Sequence, residues 1–487
     1  MRRDPTTILT YNIIIIILPS NQTKNMSTKD FVSSLSVNNV TTSFLDDTNK
    51  LPLVISPRFD DSLEFLCRWL VANRSWVEEQ MLFYGAILIR GFAIDDAPEF
   101  ERAISSLQPN LCDSYRGTSP RSVFEGTKYT FSAADAPVNY PIGQHVEMAF
   151  LKSPPRQLYF GCLKGSNSAG GETSLCDFRK VYQELDPAVR YKFEAKKMLY
   201  ARTHPKVGEK WTFDVAAMLS WKQMFGTSDK QEVEAICQEE EAAEVQWIGP
   251  NNDTFFQEWM DEACQLHPDT KEKVWFNHVQ VFHWSTFPAE LWFAFTRIRD
   301  IRFLLRSIII AIFSVIKYCL LGHRMALDIR FGDGSPISVS EMNQVRKVVH
   351  KNMVFSTWKK GDIMCIDNFS TSHGRQPTYD FGRKILVAWS NPHDKTSTIP
   401  SPTADKKKEH DYEDLTECLG VLFDDACVPG AVEATPNSSP DSTLSSEEAH
   451  DLKEFIINQG KPKDIATGIK HQRHISCPSP SLKGIFS

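Results

Sequence analysis

Gln144-His145-Val146-Glu147-Met148 is the stretch that decides how this chain is read, together with His373 far downstream and Arg383 just beyond it. Residues two apart share one side of an extended strand, so a His-x-Glu pair there can grip one ion. A third ligand has to come from a distant strand folded back across the pair. His373 fits, because it follows the apolar run Asp362-Ile363-Met364-Cys365-Ile366-Asp367 and the turn Asn368-Phe369-Ser370. Beyond Gly374-Arg375-Gln376-Pro377, the run Phe381-Gly382-Arg383-Lys384-Ile385-Leu386-Val387-Ala388-Trp389 reads as the return strand of a hairpin. Two imidazoles and one carboxylate occupy one face of an octahedral Fe(II) and leave three positions open for chemistry. Arg383 sits where a bidentate guanidinium could hold a dicarboxylic cosubstrate.

Other segments fall in an order that extends this reading. Phe83-Tyr84-Gly85-Ala86-Ile87-Leu88-Ile89-Arg90-Gly91-Phe92 opens the series, and Tyr115-Arg116-Gly117-Thr118-Ser119-Pro120-Arg121 precedes the His-x-Glu pair. Gly170-Gly171-Glu172-Thr173-Ser174-Leu175-Cys176-Asp177 and Ser220-Trp221-Lys222-Gln223-Met224-Phe225-Gly226-Thr227 follow it. Val274-Trp275-Phe276-Asn277 and Phe331-Gly332-Asp333-Gly334-Ser335-Pro336-Ile337 lead into the closing segment from His373 to Arg383.

Taken together, roughly over residues 60 to 395, these motifs resemble the taurine dioxygenase and clavaminate synthase family of Fe(II)/2-oxoglutarate oxygenases. They are most similar to the branch holding amino-acid hydroxylases of peptide natural-product pathways and clavaminate-synthase-like plant proteins. The resemblance implies a mainly β fold with inserted helices, built on a double-stranded β-helix, or jelly roll. It implies His145, Glu147 and His373 as iron ligands, and Arg383 with Thr173 on the far carboxylate of 2-oxoglutarate. Fe(II), 2-oxoglutarate and O2 are the implied cofactor and cosubstrates. Because halogenating relatives replace the ligand carboxylate with a small residue, Glu147 points to hydroxylation or desaturation. Arg121, Asn277 and Arg375 are candidates for contact with a small acid, an amino acid or a carrier-bound amino acid.

Composition narrows the class. The 487 residues are 41% hydrophobic with 31 Phe and 11 Trp, enough for a large core. A net charge of −7 without a long Lys/Arg block leaves no footprint for nucleic acid, so the expected partner is a small molecule. The 11 Cys are odd in number and lack CxxC pairs, which favours free thiols and a cytoplasmic setting. The sequon Asn368-Phe369-Ser370 stands beside the third ligand, where a glycan would obstruct the site.

Three regions are expected: an N-terminal extension over 1–50, an oxygenase domain over 51–395 with a helical insertion around 178–345, and a polar tail over 396–487. Residues 8–18 hold five consecutive isoleucines, the size of a signal core but not of a span, which leaves a targeting or anchor role open. Residues 59–83 read as helix, Ala86 to Phe92 as strand, and Asp95 or Asp96 as a helix cap. Asp177, Ser228 with Gln231, and Ser338 with Glu341 mark further helix starts. The apolar segment 303–321 is expected to be buried or to form a homodimer interface. A single crossing there would put His145 and His373 on opposite sides of a bilayer, so a membrane partner is not expected. In the tail, Leu452, Phe455 and Ile456 could form one short helix, and His471, His474 and Cys477 lack the fourth partner of a zinc site.

Two rival classes use the same residues. One is a non-catalytic jelly-roll protein that binds metal and a small molecule, and the other is a zinc hydrolase. Hydrolysis has no use for the dicarboxylate clamp of Arg383 and Thr173.

Overall fold

Two β-sheets face each other across one shared core in the computed structural model, which describes residues 35–113, 115, 121–133, 136–205, 220–240, 245–390 and 392. The larger has seven strands in the order Val40–Phe44, Leu53–Pro57, Ala86–Ile89, Ile363–Asp367, Gln157–Lys164, Lys384–Trp389 and Phe131–Ser132. The smaller runs Met353–Ser356, Thr173–Asp177, Thr371–Arg375 and Ile142–His145. Neighbours are antiparallel except Leu53–Pro57 beside Ala86–Ile89, which are parallel. Leu88, Phe160, Met364 and Val387 of the large sheet share a buried cluster with Leu175, Cys176 and Val354 of the small one. The other face of the large sheet is covered by the helices Leu63–Ala72 and Ala97–Leu107, through Phe65, Trp69, Leu70, Phe100 and Ile104. The central strands are therefore apolar on both sides, which is why Ala86–Ile89 and Ile363–Asp367 are continuous hydrophobic runs.

Local starts and stops follow side-chain chemistry. Asp96 and Asp177 cap their helices, and Ser338 with Glu341 forms a reciprocal box at the start of Val339–Asn352. Ser228 does not play that role: the helix begins at Lys230, and Asp229 accepts from Gln231 N–H instead. The stretch 59–83 is two helices, Leu63–Ala72 and Arg74–Tyr84. Asn73 separates them, its amide donating to the Leu35 and Trp69 carbonyls.

The expected N-terminal boundary near residue 50 is too late. Val40–Phe44 pairs with Leu53–Pro57, and Trp69 Nε1 donates to Ser36 O at 3.0 Å, so this segment is part of the body. The 178–345 insertion is not purely helical either. It contains a third antiparallel sheet, Leu327–Phe331, Met198–His204, Thr254–Asp261 and Val245–Ile248. Those strands alternate buried and half-exposed residues, a pattern weaker than the helical signals around them. The readings of residues 8–18, of the tail helix and of His471, His474 and Cys477 lie outside the described residues.

The segment 303–321, expected to be buried or to form a homodimer interface, is not buried within this chain. Ile301–Ser314, continued by a π-helical turn Val315–Leu320, presents much of its apolar surface outward, with only 22% of its most apolar window buried.

Gly170 shows how tightly the Thr173 strand is led into place. Its φ is +87°, and a Cβ there would stand 2.0 Å from the Pro377 carbonyl oxygen. Gly170→Ala is expected to cost roughly 1–3 kcal/mol, a fall of several degrees in melting temperature. An unchanged melting curve would contradict this close approach.

Candidate active site

His145 and His373 lie directly opposite each other on adjacent antiparallel strands, Ile142–His145 and Thr371–Arg375. Opposed residues point to the same face, so strand register alone brings the imidazoles together, with ring centroids 4.3 Å apart. His145 Nδ1 lies 3.0 Å from the Gly143 carbonyl. A carbonyl can only accept, so Nδ1 carries a proton and Nε2 is the atom placed to act as a ligand. His373 is buried, and burial beside His145 pushes its pKa down to about 4, leaving it neutral.

Glu147 is not on the strand. The strand ends at His145, and Glu147 begins a turn whose next residue, Met148, has φ +52°. The turn is fixed by a residue read from sequence only as part of a loop. Asn368 Oδ1 accepts from Glu147 N at 2.9 Å, and Asn368 Nδ2 donates to Glu147 O at 3.0 Å and Pro155 O at 2.8 Å. Asn368 is fully buried with its amide committed, so it has no room for a glycan. The preceding Asp367 is locked by Arg156, Ser370 and His267, the last at 2.8 Å. Burial opposes that charge, yet the Arg156 guanidinium and His267 hold the Asp367 carboxyl well below the usual range.

The Glu147 carboxylate faces both imidazoles, its Oε2 lying 3.8 Å from His145 Nε2 and 3.5 Å from His373 Nε2. One ligand atom from each residue falls within 4.8 Å of the others, a set that could hold a metal ion. Arg121 lines the cavity beside this cluster, and its guanidinium is committed to the carboxylate. Its Nη2 lies 3.2 and 3.1 Å from the two oxygens, while Nη1 donates to the Ser132 and Ala133 carbonyls. The guanidinium also lies over Tyr115, whose hydroxyl is 3.4 Å from Glu147 Oε1. Burial works against the charge, but Arg121 and the two imidazoles keep the Glu147 carboxyl well below its ordinary range. The donor set is thus two imidazoles, that of His373 held neutral by burial, and one ionised carboxylate, the residue types that suit a ferrous ion.

A cavity of about 110 Å3 opens on this cluster, and Thr173, Arg375 and Arg383 share its wall with Phe150, Phe160 and Phe282. Trp358 Nε1 donates to Thr173 Oγ1 at 2.9 Å, which leaves the hydroxyl proton to be given elsewhere. Arg383 Nε donates to Gly171 O at 2.8 Å, and no carboxylate among the described residues pairs with it. Burial pushes its pKa down to about 10. Arg375 donates to the Ala136, Pro137 and Tyr140 carbonyls, so it braces the 136–140 loop as well as lining the cavity. Asn277 is not brought to the cavity. Its amide bridges Ala263 O and Val279 N, a structural cap. His278, which sequence reading passed over, does line the cavity, and its ring is 5.9 Å from that of His145.

The model of the family described as taurine catabolism dioxygenase TauD, TfdA matches residues 48–389. The chain belongs to this family. It is an enzyme of the 2-oxoglutarate-dependent dioxygenase kind, which uses Fe(II), 2-oxoglutarate and O2. It is 26% identical over 321 residues to the dapdiamide synthesis protein DdaC of Enterobacter agglomerans, covering 65% of this chain and 85% of that one. It is 23% identical over 359 residues to a clavaminate synthase-like protein of Arabidopsis thaliana, covering 70% and 94%. Among solved structures, a taurine dioxygenase from Burkholderia xenovorans aligns with a TM-score of 0.39 at 12% identity, over 73% of this chain and 90% of that one. Membership sets aside the non-catalytic binder and the zinc hydrolase.

Asn368→Ala should leave both main-chain groups of Glu147 without partners in a buried place. The expected loss is about 1–3 kcal/mol per orphaned group, with weaker retention of Fe(II) in an anaerobic titration. Iron affinity equal to that of the unaltered protein would show that the turn does not depend on this amide.

Proposed function

We propose that this enzyme hydroxylates or desaturates an unactivated C–H bond of a small acid, an amino acid or a carrier-bound amino acid. The two facing sheets are read as the jelly-roll core that carries the site. The observation that bears most weight is the shared cavity: the His145, Glu147 and His373 cluster and the Arg383 and Thr173 pair open on the same space.

The roles follow from each residue's surroundings. His145, Glu147 and His373 would hold the iron, and Arg121 and Tyr115 would keep the carboxylate ionised and aimed. Arg383 and Thr173 would take the far carboxylate of 2-oxoglutarate, because each has hydrogen-bonding capacity left after its protein partner. Bound Fe(II) with 2-oxoglutarate and O2 supplies the oxidising chemistry, in which the 2-oxo acid is released as succinate and CO2. Phe150, Phe160, Val281 and Phe282 exclude water and press the substrate's C–H bond toward the cluster. Arg375, its charge facing the cavity with carbonyls as its partners, supports an acidic group on the substrate. The likeness to a dapdiamide synthesis protein supports an amino-acid-derived substrate.

Purified protein supplied with Fe(II), ascorbate and 2-oxoglutarate should release succinate slowly without a prime substrate, and His145→Ala should abolish this. Arg383→Gln should raise the 2-oxoglutarate requirement roughly 10–100-fold, the scale of a lost charge-assisted pair. A screen of amino acids and small acids should find one that accelerates succinate release and gains an oxygen or loses two hydrogens by mass spectrometry. If Arg383→Gln leaves the 2-oxoglutarate requirement unchanged, the clamp assignment is wrong. If no acid accelerates turnover, the substrate class is wrong.

A further inference from the structure

Between Asp300 and Asp328 the sequence has no Asp or Glu, yet it holds Arg302, Arg306, Lys317 and Arg324, in a chain of net charge −7. Its helix turns Phe303, Ser307, Ser314 and Tyr318 inward. The other side shows Leu305, Ile308, Ile309, Ile312, Ile316 and Leu320 to solvent at 47–72% exposure. An apolar stripe of that extent is not left bare on a soluble monomer without a use.

The segment is long and apolar enough to cross a bilayer, but both of its ends are held in the same folded body. Arg306 Nη1 donates to Asn139 O at 2.9 Å and Ser307 Oγ to Pro288 O at 2.8 Å. Just after it, Leu327–Phe331 pairs with Met198–His204. The helix must therefore lie along a surface.

A groove beside the stripe adds a second observation. Trp292, Ile308 and Ala311 line it together with Arg346 and Lys347. Arg346 is 5% exposed; its Nη2 donates to Ser285 Oγ and Asn343 Oδ1, while Nη1 is buried with no acceptor among the described residues. A cationic group with one unsatisfied donor among the described residues, its carboxylate neighbour being Glu290, beside an apolar stripe with a half-exposed Trp, matches the boundary between lipid headgroups and acyl chains.

We propose that this face docks the enzyme on an anionic lipid bilayer surface. The stripe enters the acyl boundary, and a headgroup phosphate takes the Arg346 groove. A second copy fits less well. Arg302 is already paired with Asp300, and Arg324 with Glu258 and Asp328, whereas the partners of Arg306 among the described residues are neutral, Asn139 O and the Tyr140 ring. An antiparallel pairing of two such helices would set the Arg306 end of one against the Lys317 end of the other, with no acid between Asp300 and Asp328 to answer them.

The test is vesicle flotation of the full-length protein, using phosphatidylcholine vesicles with and without phosphatidylserine. Binding should be at least about tenfold stronger with phosphatidylserine and weaken as salt rises. Ile309→Glu with Ile312→Glu, both exposed positions, should cut binding by about tenfold or more while melting temperature and uncoupled succinate release stay unchanged. Arg346→Gln should reduce the preference for phosphatidylserine, with Lys347→Glu replacing it if the buried change does not fold. Three results would overturn the proposal. One is no binding to phosphatidylserine vesicles. Another is binding that the double change leaves intact, which would move the anchor to the isoleucines at 13–17. The third is a dimer that the double change converts to monomer, which would make the face a protein interface.

Discussion

One pairing register, His145 opposite His373, is the constraint on which the rest of the site depends. A slip of one residue would send one imidazole to the other face of the small sheet and leave the pair unable to share an ion. Several features keep that register. Thr371–Arg375 is paired on both sides, with Ile142–His145 and with Thr173–Asp177. Buried Gln144 bonds Ser372 and Ser174, so a polar network crosses three neighbouring strands next to the imidazoles. Glu147, beyond the end of its strand, cannot rely on the ladder, and the Asn368 amide takes over that duty.

Charge is balanced in layers around this point. A buried carboxylate is costly unless it is met by partners, and Glu147 is met by Arg121 and two imidazoles. Arg121 in turn rests on backbone carbonyls and on the Tyr115 and Trp389 rings. Arg375 and Arg383 are different: two nearby cations whose described partners are neutral carbonyls. A pocket with that surplus on one wall and aromatic rings on another is prepared for an acid carrying an apolar body.

Much of this was legible in the residues, for identifiable reasons. His145, Glu147 and His373 could be found because a short apolar run, a turn and a return strand follow one another, and because few residue types bind iron. The caps at Asp96, Asp177 and Ser338 were legible because their partners lie within three positions. Asn368 was not, since its partners are remote in sequence and nothing local separates a clamp from a turn residue. Arg121 and Asn277 were plausible substrate contacts by type alone; only packing shows one on a carboxylate and the other capping Val279 N–H. The apolar helix Ile301–Ser314 misled because hydropathy reports what a side chain prefers, not what covers it.

The central claim is that three side chains from two strands and one turn bind a single ferrous ion beside a dicarboxylate clamp. Anaerobic titration of Fe(II) into the protein with excess 2-oxoglutarate tests it most directly, read by the visible metal-to-ligand absorption of the ternary complex. The account predicts a band that saturates at one iron per chain and is absent from His145→Ala, Glu147→Ala and His373→Ala taken singly. A band that survives any one of these changes at full intensity would contradict it.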